Sequence, residues 1–221
     1  MCIRDSFIAV NTYLPMWAQA LLGMSALMGG MTLIPNSVVE IIASQTVATI
    51  QEKIRTFTLV MIGIVTMMIS SGGLFLANNH TPLWVLILVG AFSGIGVGFI
   101  FVALQVKVQI DAGMKDMATA TSTSYLIRIL AQTVMAAVYG VIMNLALASG
   151  INSHSNITMK MMNELSDAKS AKLLPQHLLP EMREIFHSGI HEIMAVSFIL
   201  LLIATAVSYT HLRAHETAAN L

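Results

Sequence analysis

One acidic side chain, Glu40, stands inside a long uncharged stretch at 24–49. An acid in a membrane-length apolar run is costly, so by default it marks a functional site. Ser37, Glu40 and Ser44 recur at i, i+3 and i+7, which places them on one face of a helix. Asn36 directly precedes them. Removal from water favours the protonated form of a carboxylic acid, so this stripe predicts a cavity that binds a proton or a cationic compound.

A structural alternative for Glu40 stays open from the residues alone. Its carboxylate could hydrogen-bond to a neighbouring helix, or its side chain could reach the cytoplasmic interface. In the first case the polar stripe packs within the bundle, and in the second it fixes the depth of the helix.

Arg128 is the second charged residue inside an apolar run. It could pair with an acidic group, or it could extend towards the cytoplasmic end of its helix, as long basic side chains commonly do. The pattern favours a structural or gating role. Glu52, Lys53 and Arg55 lie in a short charged turn, where they act either as a conformational latch or only to fix topology.

His187 and His191 are four residues apart, with Glu184 and Glu192 nearby. Two histidines at this spacing can bind a metal ion. A solvated face of an amphipathic helix is the preferred interpretation, so no metal site and no cofactor are predicted.

Composition places the chain in a membrane. It has 221 residues, of which 56% are hydrophobic and 10% charged, and its mean hydropathy is +0.78. Soluble domains carry about 25% charged residues. The zero net charge argues against a nucleic-acid surface. The pattern predicts an all-α membrane protein with six spans, of which the first and last are truncated. Those spans are about 7–18, 24–49, 57–77, 83–104, 117–148 and 189–206.

The fourth predicted span carries a stripe of small residues. Gly90, Gly94 and Gly98 form overlapping pairs four residues apart, a pattern that lets two membrane helices approach closely. The sequence therefore predicts a helix-packing face here.

Both termini differ from the rest. Residues 1–6 and 207–221 resemble translated sequencing-adaptor read-through, so we expect the native part at 7–206, as a fragment cut inside a helix at each end. Cys2 then belongs to the first scar, which leaves no thiol for a disulfide or a metal.

Basic residues predict the orientation. The short connections that carry Lys or Arg, at 51–55 and 105–116, are expected in the cytoplasm. The corners at 19–23 and 78–82 carry none, so they and the segment at 149–188 are expected outside.

Several short motifs resemble the fourteen-helix drug:proton antiporter branch of the major facilitator superfamily. Tyr13–Gln19 (YLPMWAQ) is similar to its YLPLYLQ segment, and Gly23–Leu27 (GMSAL) to its G-x-S-A-L corner. Leu33–Pro35 resembles its LLP. The branch's charged turn, G-x-x-x-D-[RK]-x-G, aligns on Ala48–Arg55, where both glycines are missing and Glu52 replaces Asp.

The fifth predicted span extends the resemblance. Small residues at Ala118–Thr121 followed by Arg128 resemble a pattern that ends in R-x-L-G-G, although Ala131 and Gln132 replace the glycines. Glu40 lies outside the family pattern, since that position usually holds an apolar residue.

The resemblance implies the C-terminal half of a multidrug exporter in the bacterial cytoplasmic membrane, and not an enzyme. Its partners would be the lipid bilayer, a small amphipathic substrate, protons and the missing N-terminal half. The sequence holds no Walker loop, dinucleotide fingerprint or nucleophile elbow, so coupling to ATP has no support within it. A non-transporting membrane scaffold, or an inactive truncated chain, stays the alternative.

Overall fold

The structure, a computed structural model, describes residues 2–78, 81–153, 156–167 and 170–218, with the side chains of 2–6, 172 and 210–218 left aside. Within those ranges the chain is helical and contains no strand. The helices are α1 (Cys2–Ala20), α2 (Ala26–Met31), α3 (Leu33–Ile50), α4 (Thr56–Leu76), α5 (Leu83–Asn152), α6 (Met159–Leu165) and α7 (Leu179–Ala218). A short 3₁₀ turn covers Ser170–Leu173.

Four helical units in the described residues are long and apolar enough to cross a bilayer: α2 with α3, α4, α5, and α7 as far as Tyr209. α5 has 70 residues and folds back on itself, so it supplies two antiparallel limbs. Together with α1 this gives six segments. The predicted all-α architecture with six apolar segments is confirmed.

The second predicted span is interrupted at Thr32, between α2 and α3. Pro35 follows three residues later. A proline has no N–H to donate to the carbonyl four residues before it, and its ring clashes with that carbonyl. The helix therefore breaks one turn ahead of the proline, where the Thr32 hydroxyl donates to the Gly29 carbonyl at 2.6 Å.

The two limbs of α5 meet at Gly113, which has φ 69° and ψ 171° inside otherwise helical backbone. The helix continues on both sides of it, so most of the connection expected at 105–116 is helical. Lys107 and Asp111 form an ion pair of 2.8 Å one turn apart, which stabilises that extension. Gln109 donates to the Thr121 hydroxyl at 3.2 Å across the two limbs.

The segment at 149–188 packs onto one end of the bundle. α5 continues into this segment as far as Asn152, and α6 covers Met159–Leu165 within it. The segment contributes buried side chains to the same apolar cluster as Trp17 of α1. Those side chains are Ile157, Met162, Leu165, Leu174, Leu178, Met182, Ile185 and Phe186.

The corners expected outside the cell lie at that same end. A Cβ on Gly23 would contact the Arg183 guanidinium at 3.3 Å, and the Ala77 carbonyl lies 2.9 Å from His187. The antiparallel course of the segments then places the turn after α3 and the bend at Gly113 at the opposite end.

Candidate functional site

α3 carries the predicted polar stripe, and its buried face contains Asn36, Ala43 and Val47. Glu40 and Ser44 are half-buried at the margin of that face, whereas Ser37 is exposed. The structure therefore brings Asn36, Glu40 and Ser44 towards the neighbouring helix and leaves Ser37 on the outer side of α3.

Asn36 joins α3 to α1. Its amide nitrogen donates to Asn11 Oδ1 at 2.9 Å, and Asn36 itself is only 2% exposed. Its Oδ1 has no hydrogen-bond partner within the part of the chain that the structure describes. This bond fixes α3 relative to α1, because breaking it would leave the amide nitrogen of Asn36 unpaired in addition to its Oδ1.

The glycines of the first α5 limb face this same side of α3. A Cβ on Gly98 would lie 2.7 Å from both Ala43 Cβ and the Glu40 carbonyl oxygen, and a Cβ on Gly94 would overlap the backbone of Asn36. A Cβ on Gly90 would meet Leu14 Cδ2 of α1 at 2.9 Å. Helices this close require small residues at the contact, and the approach presses the backbone of Glu40 against α5.

A cavity of about 270 Å³ lies on another side of the first α5 limb, between the two limbs and α4. Its walls are apolar except for Ser124 and Arg128. The lining residues are Met67, Val97, Ile100, Phe101, Leu104, Val108, Ser124, Ile127, Arg128 and Ala131. Glu40, Ser37, Ser44 and Asn36 are not among them.

Arg128 bridges the two limbs of α5. One guanidinium nitrogen, Nη2, donates to Gln105 Oε1 at 2.8 Å. The guanidinium carbon lies 4.2 Å from the centre of the Phe101 ring and 6.0 Å from that of Tyr125, within range for cation–π attraction. These contacts direct the guanidinium inward, between the limbs.

The charged turn at 51–55 connects α3 and α4. It is tight, since Lys53 and Ile54 both donate from their backbone N–H groups to the Ile50 carbonyl, at 2.9 and 3.0 Å. Glu52, Lys53 and Arg55 are exposed at the end opposite to α6.

The histidine pair of α7 does not form a solvated face. His187 and His191 are half-buried, and both Nε2 atoms lie 2.9 Å from the carbonyl oxygen of Ala77 at the end of α4. Trp17 meets His187 edge-on at 5.1 Å between ring centroids. In the residues that the structure describes, no group of three or more potential metal ligands is present.

Some of these partners could not be identified from the sequence. Gln105 opens a charged stretch that was expected to be a connection, and Phe101 carries no signal beyond its hydrophobicity. Asn11 and Ala77 lie on elements whose neighbours depend on the tertiary fold. The polar character of Asn11 in an apolar span was the one available signal.

Comparison with known proteins identifies relatives over part of the chain. Over 151 residues, 66% of this chain, it is 27% identical to Multidrug resistance protein 3 of Bacillus subtilis (strain 168), and the match covers 29% of that protein. Over 119 residues, 53% of this chain, it is 34% identical to the MFS-type transporter ppz2 of Metarhizium majus (strain ARSEF 297), of which 20% is covered. The chain thus spans less than a third of the length of these curated relatives.

No protein-family profile matches the chain, and no solved structure matches it significantly. One of these relatives is named for multidrug resistance and the other as an MFS-type transporter. Over part of its length the chain is thus similar to a transporter of the major facilitator superfamily, and its six helical segments are consistent with one half of such a transporter.

Proposed function

We propose that this chain is the C-terminal half of a proton-coupled multidrug exporter of the fourteen-helix antiporter branch. The transporter would reside in the bacterial cytoplasmic membrane. Residues 1–6 and 207–221 would not belong to its native sequence. The similarity to a protein named for multidrug resistance supports export of drug-like compounds. The substrates would be amphipathic compounds, cationic ones among them.

The observation that carries the proposal is Glu40. It is the one acidic or basic residue in the candidate membrane segment Ala26–Ile50, it is half-buried, and its backbone is pressed against Gly98. An ionisable group costs free energy inside a membrane segment, so its presence there indicates a function. Binding a proton neutralises the carboxylate, and releasing the proton restores an anion that attracts a cationic substrate. A single carboxylate can therefore couple the proton flux to the substrate flux, because it binds either a proton or a substrate cation at one time.

Contacts between the segments support movement of this half as one body. The Asn36–Asn11 bond joins α3 to α1, the glycine contacts join α3 to α5, and the histidine pair joins α7 to α4. Transporters of this architecture alternate access by rocking two such bodies against each other. The proposed roles are proton or substrate binding for Glu40 and Ser44 and positioning for Asn36. Ser37, on the outer face of α3, would face the other half.

The exposed charged turn would act at the contact between the two halves. Glu52, Lys53 and Arg55 lie at one end of the bundle, outside the packed core. Ion pairs of exposed charges are each weak, about 0.2–1 kcal/mol, which suits a contact that must open and close in every cycle. We expect charge reversal of Lys53 and Arg55 together to change the rate of transport more than the affinity for substrate.

The experiment that tests the proposal compares two carboxylates in the full-length transporter. Glu40→Gln keeps size and hydrogen bonding but cannot ionise. Glu181→Gln makes the same change at an exposed position in the first turn of α7. Both variants are expressed at matched levels in bacterial cells without other exporters, and energy-dependent efflux of ethidium is followed by its fluorescence.

We expect Glu40→Gln to abolish efflux and Glu181→Gln to leave it unchanged. Efflux in the wild type should also stop when a protonophore collapses the proton gradient while ATP is maintained. Efflux by Glu40→Gln at the wild-type rate would refute an essential role for this carboxylate. Efflux that persists with the protonophore would refute proton coupling.

A further inference from the structure

The pair formed by Arg128 and Gln105 leaves two buried N–H donors without an acceptor among the described residues. A guanidinium can only donate, so the amide oxygen of Gln105 must face it, as the 2.8 Å contact requires. The amide nitrogen of Gln105 then points elsewhere. Both Gln105 Nε2 and Arg128 Nη1 are buried and have no acceptor among the described residues. Each such donor costs about 1–3 kcal/mol when it stays unsatisfied.

The charge of Arg128 has no counter-charge in the part of the chain that the structure describes. Its contacts there are Gln105, Phe101 and Tyr125, all of them neutral. Aromatic faces attract a cation but do not neutralise it. An unpaired charge within a membrane segment is strongly unfavourable, and an anion beside it would remove that cost.

Reaching the interface does not relieve this charge. Gln105 lies eight residues before the bend at Gly113 and Arg128 lies fifteen residues after it, about 12 and 22 Å along their limbs at the helical rise per residue. The guanidinium stacks on Phe101 at 4.2 Å, on the inner side of the hairpin. It thus stays between the limbs and forms part of the wall of the cavity.

The cavity has the form of a small amphipathic site. At about 270 Å³ it lies just below the range of about 300–1,000 Å³ that drug-sized ligands occupy. Phe101, Ile100 and Ile127 provide apolar and aromatic walls, and Arg128 provides a fork of donors that matches the two oxygens of a carboxylate. An apolar body with an anionic head would satisfy both parts.

We propose that this cavity binds a small amphipathic anion, with the anionic head on Arg128 and the apolar body against Phe101. This ligand is opposite in charge to the cations for which Glu40 is suited, so the site is additional to the proposed export site. Binding there does not depend on proton coupling and can be measured without transport.

The test uses three ligands of nearly equal shape: 2-naphthoate, neutral 2-naphthamide and cationic 2-naphthylmethylammonium. Their binding to the full-length protein in phosphatidylcholine nanodiscs is followed by naphthyl fluorescence, with empty nanodiscs as the reference for partition into lipid. The protein variants are Arg128→Gln, Arg128→Lys and, as a charge control, Lys107→Gln, which removes an exposed cation near the hairpin tip. Circular dichroism establishes that each variant keeps its helices.

We expect naphthoate to bind the wild type at least about tenfold more tightly than naphthamide, the ratio that one charge-assisted hydrogen bond provides. Arg128→Gln should weaken naphthoate by about the same factor and leave naphthamide within about twofold. Arg128→Lys should retain part of the preference, since it keeps the charge and loses the fork. Lys107→Gln should bind like the wild type.

Equal affinities for naphthoate and naphthamide would overturn the proposal. So would an unchanged affinity of Arg128→Gln for naphthoate, because Arg128 would then already be paired with an acid elsewhere in the full-length protein. Replacing part of the lipid by phosphatidylglycerol distinguishes two sources of the anion. Competition with naphthoate but not with naphthamide assigns the site to an anionic lipid headgroup, and no competition assigns it to a soluble amphipathic acid.

Discussion

His187 and His191 donate to the same backbone oxygen, the carbonyl of Ala77, each from Nε2 at 2.9 Å. Their rings lie 4.2 Å apart. Ala77 follows the last residue of α4, so its carbonyl is one that the helix itself leaves without a donor. Two side chains of α7 therefore cap α4 and fix the relative positions of both helices at this end of the bundle.

The histidine cap predicts non-additive effects of mutation. His187→Ala and His191→Ala should each lower the free energy of unfolding by about 1 kcal/mol, because the Ala77 carbonyl keeps one donor in either variant. The double variant leaves this buried carbonyl with neither donor. It should therefore lose about 0.5–2 kcal/mol more than the sum of the single variants. Equilibrium unfolding in mixed micelles measures the stability of the full-length wild type, the two single variants and the double variant. Strict additivity of the losses in stability would contradict a shared acceptor.

The contact at Gly98 predicts a steric effect with a matched control. In Gly98→Ala the new methyl group would lie 2.7 Å from Ala43 Cβ and from the Glu40 carbonyl oxygen, so α3 must move away from α5. We expect a loss of stability of about 1–3 kcal/mol. Gly140→Ala introduces the same methyl group on the same helix, where no atom lies within 4 Å. It should be neutral or stabilising by up to about 1 kcal/mol through helix propensity.

A compensating change sharpens that prediction. Ala43→Gly removes one of the two clashing atoms, so it should recover part of the stability lost in Gly98→Ala. The Glu40 carbonyl remains in place, and recovery should be incomplete. Thermal unfolding in detergent, followed by tryptophan fluorescence, is sufficient to rank the variants. If Gly98→Ala and Gly140→Ala unfold at the same temperature, the close approach of α3 and α5 is wrong.

The bend at Gly113 predicts a backbone effect without any clash. A Cβ there would meet no atom within 4 Å, yet φ is 69° and ψ 171°, a region that is essentially restricted to glycine. Gly113→Ala should therefore destabilise the hairpin by about 1–3 kcal/mol. Cross-linking efficiency between cysteines introduced at Gln109 and Thr121, whose side chains are bonded at 3.2 Å, reports on the hairpin directly. Unchanged cross-linking and stability in Gly113→Ala would contradict the strained bend.

Much of the fold follows from the sequence, because hydrophobic length and loop charge determine spans and their ends. The break at Thr32 follows from Pro35 once the position of its missing hydrogen bond is counted. The bend at Gly113 does not follow in the same way. Lys107 and Asp111 suggested a loop, but at a spacing of four residues their ion pair stabilises a helix just as well. A single glycine then suffices to reverse the chain.

The candidate sites were less accessible to sequence reasoning, since each depends on residues that meet only in the fold. The spacing of His187 and His191 indicated that they share one helix face. It did not indicate that this face contacts the Ala77 carbonyl, more than a hundred positions earlier in the chain. The polar residues near Glu40 were expected to share one face, but Ser37 lies on the outer side of α3 and Asn36 is bonded to α1. The site beside Arg128 depends on Phe101, which lines the cavity, and on Gln105, which accepts from the guanidinium, and neither residue carried a signal.

Coupled flux in proteoliposomes tests the central claim most directly. The full-length transporter is reconstituted with an internal pH indicator, and ethidium is added on the side from which it is exported. We predict that ethidium moves into the compartment while protons leave it, that the wild type shows both fluxes, and that Glu40→Gln shows neither. Ethidium movement without proton countertransport, or coupled fluxes that persist in Glu40→Gln, would contradict proton-coupled export through this carboxylate.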